Sequence, residues 1–303
     1  MRTHPRADRP GWLWGWSALL AFCCVVGSLP AAPAQDQGDG GKPADGEGKP
    51  AEDISPAEKR KLELEKWKED LKLRESQVTE LMLKCEKSRP DEQWQILGDV
   101  GKIAHPKACA YLKMKLYFES PAASIKAQVR SAAADAMKGQ RDKLNAGLAA
   151  EATKHLQAAC DERWNKRETE GDAVVRNAIK SIGELRHPSS KKWLLKMITD
   201  PKAYWAEESI RALEKLRDGS VIEKIIQEWL RCENEGKKSN ASDQDRERRQ
   251  VIGEAAGSTL AALTGQQFSK PIEWQQWWSK NKATFAVKKI EEDEGGAGEG
   301  GDN

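Results

Sequence analysis

The chain of 303 residues has room for one or two ordinary domains or a single repeat array, and its 38% hydrophobic and 32% charged residues suit amphipathic helices. Its formal charge of +2 hides an uneven layout: residues 54–290 are net basic by about ten, between two acidic flanks. Apart from the adjacent Cys23 and Cys24, the cysteines are widely and irregularly spaced, which excludes a CxxC metal or redox motif.

Residues 1–34 read as an export signal. Arg2, Arg6 and Arg9 form a positive start, no charge occurs from Gly11 to Ala34, and Leu19, Leu20, Phe22, Val25 and Val26 make an apolar centre. Ala32-Pro33-Ala34 offers a small-x-small cleavage site before Gln35. The uncharged stretch 11–34 is also long enough to serve as an uncleaved membrane anchor. Either outcome puts the bulk of the chain outside the cytoplasm, periplasmic or extracellular, and argues against nucleic acid as a partner. Disulfides are permitted there. Burial as small apolar side chains is the plain reading of Cys85, Cys109, Cys160 and Cys232, with a Cys85–Cys109 bridge the candidate exception.

Residues 35–54 are rich in Gly, Pro and acids without apolar periodicity, and read as a disordered acidic linker. Ser55-Pro56-Ala57-Glu58 combines an N-cap, a Pro at N1 and a capping-box Glu. The leader helix it opens fills 55–89, running to about Lys87 before Arg89-Pro90 stops it. Leu64, Trp67, Leu71, Val78, Leu81 and Cys85 recur at 3-4 spacing along it, interrupted by Arg74. That stripe suits packing on the chain's own body better than a coiled-coil dimer.

Residues 90–283 repeat. The window 96–116 (ILGDVGKIAHPKACAYLKMKL) aligns with 178–198 (AIKSIGELRHPSSKKWLLKMI) through Gly101/Gly183, His105/His187, Pro106/Pro188 and Leu112/Leu194. Val100/Ile182, Ile103/Leu185, Tyr111/Trp193 and Leu116/Ile198 match in apolar character. A third copy, 209–230, keeps Leu213, Leu216, Ile225 and Trp229. Each unit is a helix, a turn carrying His-Pro or Asp-Gly, and a second helix. Ser120-Pro121 and Asp200-Pro201 repeat the start signal, with Pro expected in the first helical turn. Residues 121–160 fit another pair, and 243–263 with 272–283 the last, giving about five units. One amphipathic hairpin cannot bury its stripe, so such units stack. Residues 284–303 read as a disordered acidic, Gly-rich tail.

The apolar-Gly-x-apolar-x-His-Pro turn followed by an apolar helix resembles HEAT-type repeats, in the short variant also found in bilin-lyase-like proteins. The end, from Leu260-Ala-Ala-Leu263-Thr264-Gly265 through Trp274, Trp277 and Trp278, is similar to the terminal module of exported planctomycete HEAT-repeat proteins. The resemblance covers roughly 90–283 and implies an all-α fold: an α-solenoid of about five HEAT-like helical hairpins, preceded by the long leader helix and closed by a Trp-rich cap. It implies packing and turn positions, not catalytic ones.

No HExxH, GxSxG, P-loop or GxGxxG motif occurs, so the sequence supplies no catalytic, cofactor-binding or metal-binding residue to name. His105 and His187, at one turn position in two repeats, read as turn or cap residues rather than as metal or acid-base groups. His155 and Cys160 are five apart and do not share a helix face. Trp274, Trp277 and Trp278 form the densest aromatic cluster, read as a terminal cap or as a stacking platform. Tyr204 and Trp205 are further candidate contacts. Lys191, Lys192, Lys196, Arg211, Lys215 and Arg217 read as a solvated face or as a basic stripe, with Arg246, Arg248 and Arg249 clustered before the last pair. The expectation is a non-catalytic scaffold for exported proteins. Binding of an anionic glycan or other polyanion is the alternative, and a HEAT-fold enzyme of the DNA-repair glycosylase kind the least supported.

Overall fold

The computed structural model describes residues 55–142, 144–166 and 171–287, without side chains at 163–166. The expectations for the export signal, the 35–54 linker and most of the acidic tail lie outside these residues. Every named element among the described residues is helical and none is a strand, so the chain is all-α. No described helix is long and apolar enough to cross a membrane.

The first helix, α1, spans Pro56–Lys87. Its capping box forms: Ser55 Oγ accepts from Glu58 N at 3.3 Å, and the Glu58 carboxylate accepts from Ser55 N at 3.1 Å. Pro56 stands in the first turn, where its missing N–H costs nothing. Beyond α1 come α2 (Gln93–Gly101), α3 (Pro106–Leu116), α4 (Ala123–Ala136), α5 (Ala146–Lys166) and α6 (Asp172–Leu185). They are followed by α7 (Ser190–Met197), α8 (Ala203–Leu216), α9 (Ile222–Gly236), α10 (Asp243–Thr264) and α11 (Pro271–Asn281).

Alternate helices pack in series: α2 on α4, α4 on α6, α6 on α8, and α8 on α10. Their partners fill the gaps, with α5 on α6, α7 on α8 and α9 on α10, while α3 meets α5 and α11 meets α9. The aligned positions explain how. Val100 and Ile182, Leu112 and Leu194, and Leu116 and Ile198 are all buried in one continuous core. Gly101 and Gly183 are the closest-approach points: a Cβ on Gly101 would stand 2.7 Å from Ala136 Cβ, and one on Gly183 would stand 2.9 Å from Ala212 Cβ. The shared glycine lets each first helix press against an alanine of the next.

The turns share one device. His105 Nδ1 accepts from Lys107 N at 3.0 Å, His187 Nδ1 from Ser189 N at 3.3 Å, and Asp218 Oδ1 from Ser220 N at 2.9 Å. Ser120 Oγ and Asp200 Oδ1 do the same two residues on, to Ala122 N and Lys202 N. This corrects the proline expectation. Pro106 does open α3, where the His105 carbonyl accepts from Cys109 N four residues on, but Pro121, Pro188 and Pro201 lie ahead of the helices that follow, and the His187 carbonyl accepts from Ser190 N three residues on, a tighter turn before α7. Arg186 (φ 51°) and Arg217 (φ 50°) end α6 and α8 in the left-handed region, as Gly265 (φ 73°) ends α10.

The Cys85–Cys109 bridge does not form: Cys85, Cys109, Cys160 and Cys232 are buried free thiols. Burial pushes Cys109 up to about 12 and Cys232 up to about 11, and the Cys232 thiol donates to Glu228 Oε1 at 3.3 Å. None is a thiolate near neutral pH.

Candidate functional site

A groove lies among α9, α10 and the chain that enters α11. Its floor is Trp229 on α9, only 6% exposed. α10 passes over the indole with two glycines, one helical turn apart. A Cβ on Gly253 would stand 3.2 Å from Trp229 Nε1, and one on Gly257 would stand 3.5 Å from Cη2. Any larger residue at 253 would cover the indole N–H. Arg246, Arg249 and Lys270 supply cations to the walls, Glu233 and Glu254 carboxylates, and Phe268 and Pro271 apolar surface, around about 630 Å³. A second cavity of about 510 Å³ shares Gly257, Phe268 and Ser269 and continues along α10 to Ala261. Arg249 Nε donates to Glu233 at 2.9 Å and Lys237 pairs with it at 2.6 Å, together holding that carboxyl below its usual range.

Beneath this end lies a buried ionic nest. Arg248 donates to Glu228 at 2.8 Å and to the carbonyls of Ile198 (2.9 Å) and Asp200. Arg231 clamps the same Glu228 carboxylate through two nitrogens, at 2.9 and 2.6 Å. Burial alone would raise Glu228, but Arg231 and Arg248 outweigh it and hold the carboxyl below its usual range. Arg248 is therefore not part of a surface cluster with Arg246 and Arg249. It is interior, tying the α7–α8 turn to α9 and α10.

The remaining sequence candidates fall in several places. Trp205 is 2% exposed, with the Lys202 ammonium 4.2 Å above its ring, so it is core and not a surface contact. Its neighbour Tyr204 is 46% exposed, and its hydroxyl donates to Glu247 at 2.8 Å. Trp274 is fully buried and donates Nε1–H to the Phe268 carbonyl at 3.1 Å, which removes it from any stacking platform. Trp277 and Trp278 are half-buried, and Phe285 lies across both at 5.6 and 5.7 Å. The aromatic cluster is thus mainly a cap.

The basic stripe is largely compensated. Lys191 pairs with Asp218 at 2.7 Å, Arg211 with Glu207 at 3.0 Å, and Lys215 with Glu184 at 3.6 Å. Arg217 donates to the Ala262 carbonyl at 2.6 Å. Lys192 and Lys196 are exposed on α7. Among the described residues, no group of three or more His, Cys, Asp or Glu converges as a metal site.

The sequence reading counted Trp229 as core and passed over Gly253 and Gly257. The signal was present as Gly-x-x-x-Gly in an otherwise Ala-rich helix, a spacing that bares one stripe of α10. No protein-family model matches the chain, and no curated protein matches it.

Proposed function

We propose that this chain is an exported, non-catalytic binding scaffold whose helical hairpins stack as a HEAT-like α-solenoid. One observation carries the reading. First helices α2, α4, α6, α8 and α10 pack in an uninterrupted series, spaced by the glycine-to-alanine approaches at Gly101 and Gly183. Such a series gives an extended surface, and the concavity it carries beside α10 is lined by mixed polar and apolar groups with a Trp floor. The compensated stripe on α7 and α8 favours protein over polyanion, because a cation already held by a neighbouring carboxylate attracts a polymer weakly. Export rests on the residues that precede α1.

The test is capture from the exported fraction on immobilised full chain, at low and then moderate salt, followed by direct binding of each purified candidate. Retention of one or a few proteins at moderate salt is the expected result. Capture of anionic polymers alone, released by salt, would overturn the reading in favour of polyanion binding.

A further inference from the structure

The longest described helix, α1, is also the least buried for its length. Of its 32 residues only Val78 and Cys85 are buried, with Leu81 and Met82 partly buried against the same core. The 14-residue α6, by comparison, buries eight. A helix normally stays with its body through an apolar stripe, and α1 has little of one.

Polar ties hold it instead. Toward its start, Trp67 Nε1 and Arg74 Nη1 donate to Asp142 Oδ2 at 3.2 and 3.3 Å. In the middle, Lys107 Nζ donates to Thr79 Oγ1 at 2.8 Å and pairs with Glu75 at 3.5 Å. At the far end, Glu86 Oε1 accepts from the Tyr111 hydroxyl at 2.6 Å and pairs with the Lys115 ammonium at 2.9 Å. Lys107, Tyr111 and Lys115 stand one turn apart on α3, so a single stripe of that helix receives the second half of α1. The carboxylates are the weak side of these ties. Glu75 and Glu86 are each more than half exposed, and ion pairs open to water hold little.

We propose that α1 is a releasable strap. From Trp67 to Lys87 it leaves the body as one unit while the stack of hairpins stays folded. Elements with few buried apolar contacts are the ones that open locally. Release bares the stripe of α3 that the strap covers, with Tyr111 and Lys115 now buried in it, beside α2 at the start of the helix series. Access to that end of the stack therefore depends on whether the strap is down, whatever the scaffold binds.

The chain carries its own reporter. Cys85 is buried on α1, while Cys109, Cys160 and Cys232 are buried on α3, α5 and α9. The full-length chain is treated with N-ethylmaleimide under native conditions, and labelling at each cysteine is read by peptide mass spectrometry. Each rate is divided by the rate of the same cysteine in urea-unfolded chain. Cys85 should label about ten-fold faster than the other three, a difference of about 1.4 kcal/mol in opening. Asp142→Asn weakens the tie at Arg74, about 16 Å along the helix from Cys85 at 1.5 Å per residue. If α1 lifts as one unit, this distant change should speed Cys85 about five-fold and leave the other three as they were. Glu86→Gln, at the opposite end, should do the same. Equal rates at Cys85 and Cys109 would mean that α1 opens only together with α3, which overturns the proposal. So would an unchanged Cys85 in Asp142→Asn, since the helix would then fray turn by turn. A matching rise at all four cysteines would make the ties part of the global fold and sink the strap as well.

Discussion

A glycine in a helix is usually a weakness, and α2 shows two glycines with opposite meanings. A Cβ on Gly98 would meet nothing within 4 Å, whereas one on Gly101 would meet the Ala136 carbonyl oxygen at 2.6 Å. Gly98→Ala should therefore stabilise the chain by about 0.5–1 kcal/mol through helix propensity. Gly101→Ala and Gly183→Ala should destabilise it by about 1–3 kcal/mol, because backbone and not a flexible side-chain tip stands in the way. Urea unfolding midpoints decide this, and equal effects at 98 and 101 would contradict it. At Glu228 the prediction concerns pH. Its folded pKa lies below the unfolded value, so its contribution is present above the unfolded pKa and lost as pH falls through the folded one. Asp200 acts in the opposite sense, since burial raises its carboxyl. Glu228→Gln should leave Arg231 and Arg248 without their carboxylate, cost about 3–5 kcal/mol near neutral pH, and flatten the acid limb of stability below about pH 4. An acid limb as steep as that of the parent would refute the assignment.

At the scale of the element, α1 divides into two parts. From Trp67 onward it is tied down: Trp67 Nε1 donates to Asp142 at 3.2 Å, Arg74 to the Ala104 carbonyl at 3.3 Å, and Val78 and Cys85 are buried. Residues 56–66 are exposed throughout, Leu62 and Leu64 included. The sequence stripe began at Leu64; the structure begins packing one turn later. Three turns with no buried side chain are marginal, because helix nucleation is costly and most helical stability comes from packing. Amides of 60–66 should exchange far faster than those of 78–87 in a hydrogen-exchange time course. Equal protection would mean that a second chain or another segment covers the first turns. Helix identity was legible here from Ser55 to Lys87, because caps and propensity are local. How far the body reaches under the helix was not, because that depends on where Asp142 and Ala104 are placed by other elements.

Across the whole molecule, charge and packing are arranged by neighbours distant in sequence. Lys191 and Lys215 belong to a stripe when read along the chain, yet Asp218 and Glu184 from other elements stand against them, while Arg211 is met on its own helix by Glu207. Heparin-agarose should accordingly release the full chain by about 0.15 M salt, where the screening length is about 8 Å. Retention well above that would restore the basic face as a binding surface. Serial packing carries a second expectation. Amides of α6, which meets α4, α5 and α8, should be the most protected, with protection falling toward α2 and α11. Uniform protection would point to a single cooperative core.

What the sequence determined by itself is the local part: the all-α class, the capping box at Ser55, the histidine turns at equal positions in two repeats, and the buried apolar register of the aligned windows. These follow from the 3.6-residue period and from hydrogen bonds spanning two to four residues, so a short window holds them. Tertiary structure decided which aromatics are wet, which cations are free, and that Trp229 opens into a groove while Trp205 and Trp274 do not. Those outcomes turn on side chains brought together from positions 20 to 50 apart, such as Arg248 with Glu228 and with the carbonyls of Ile198 and Asp200. Exposure and charge compensation belong to pairs of surfaces, and a stripe read on one helix does not contain its partner.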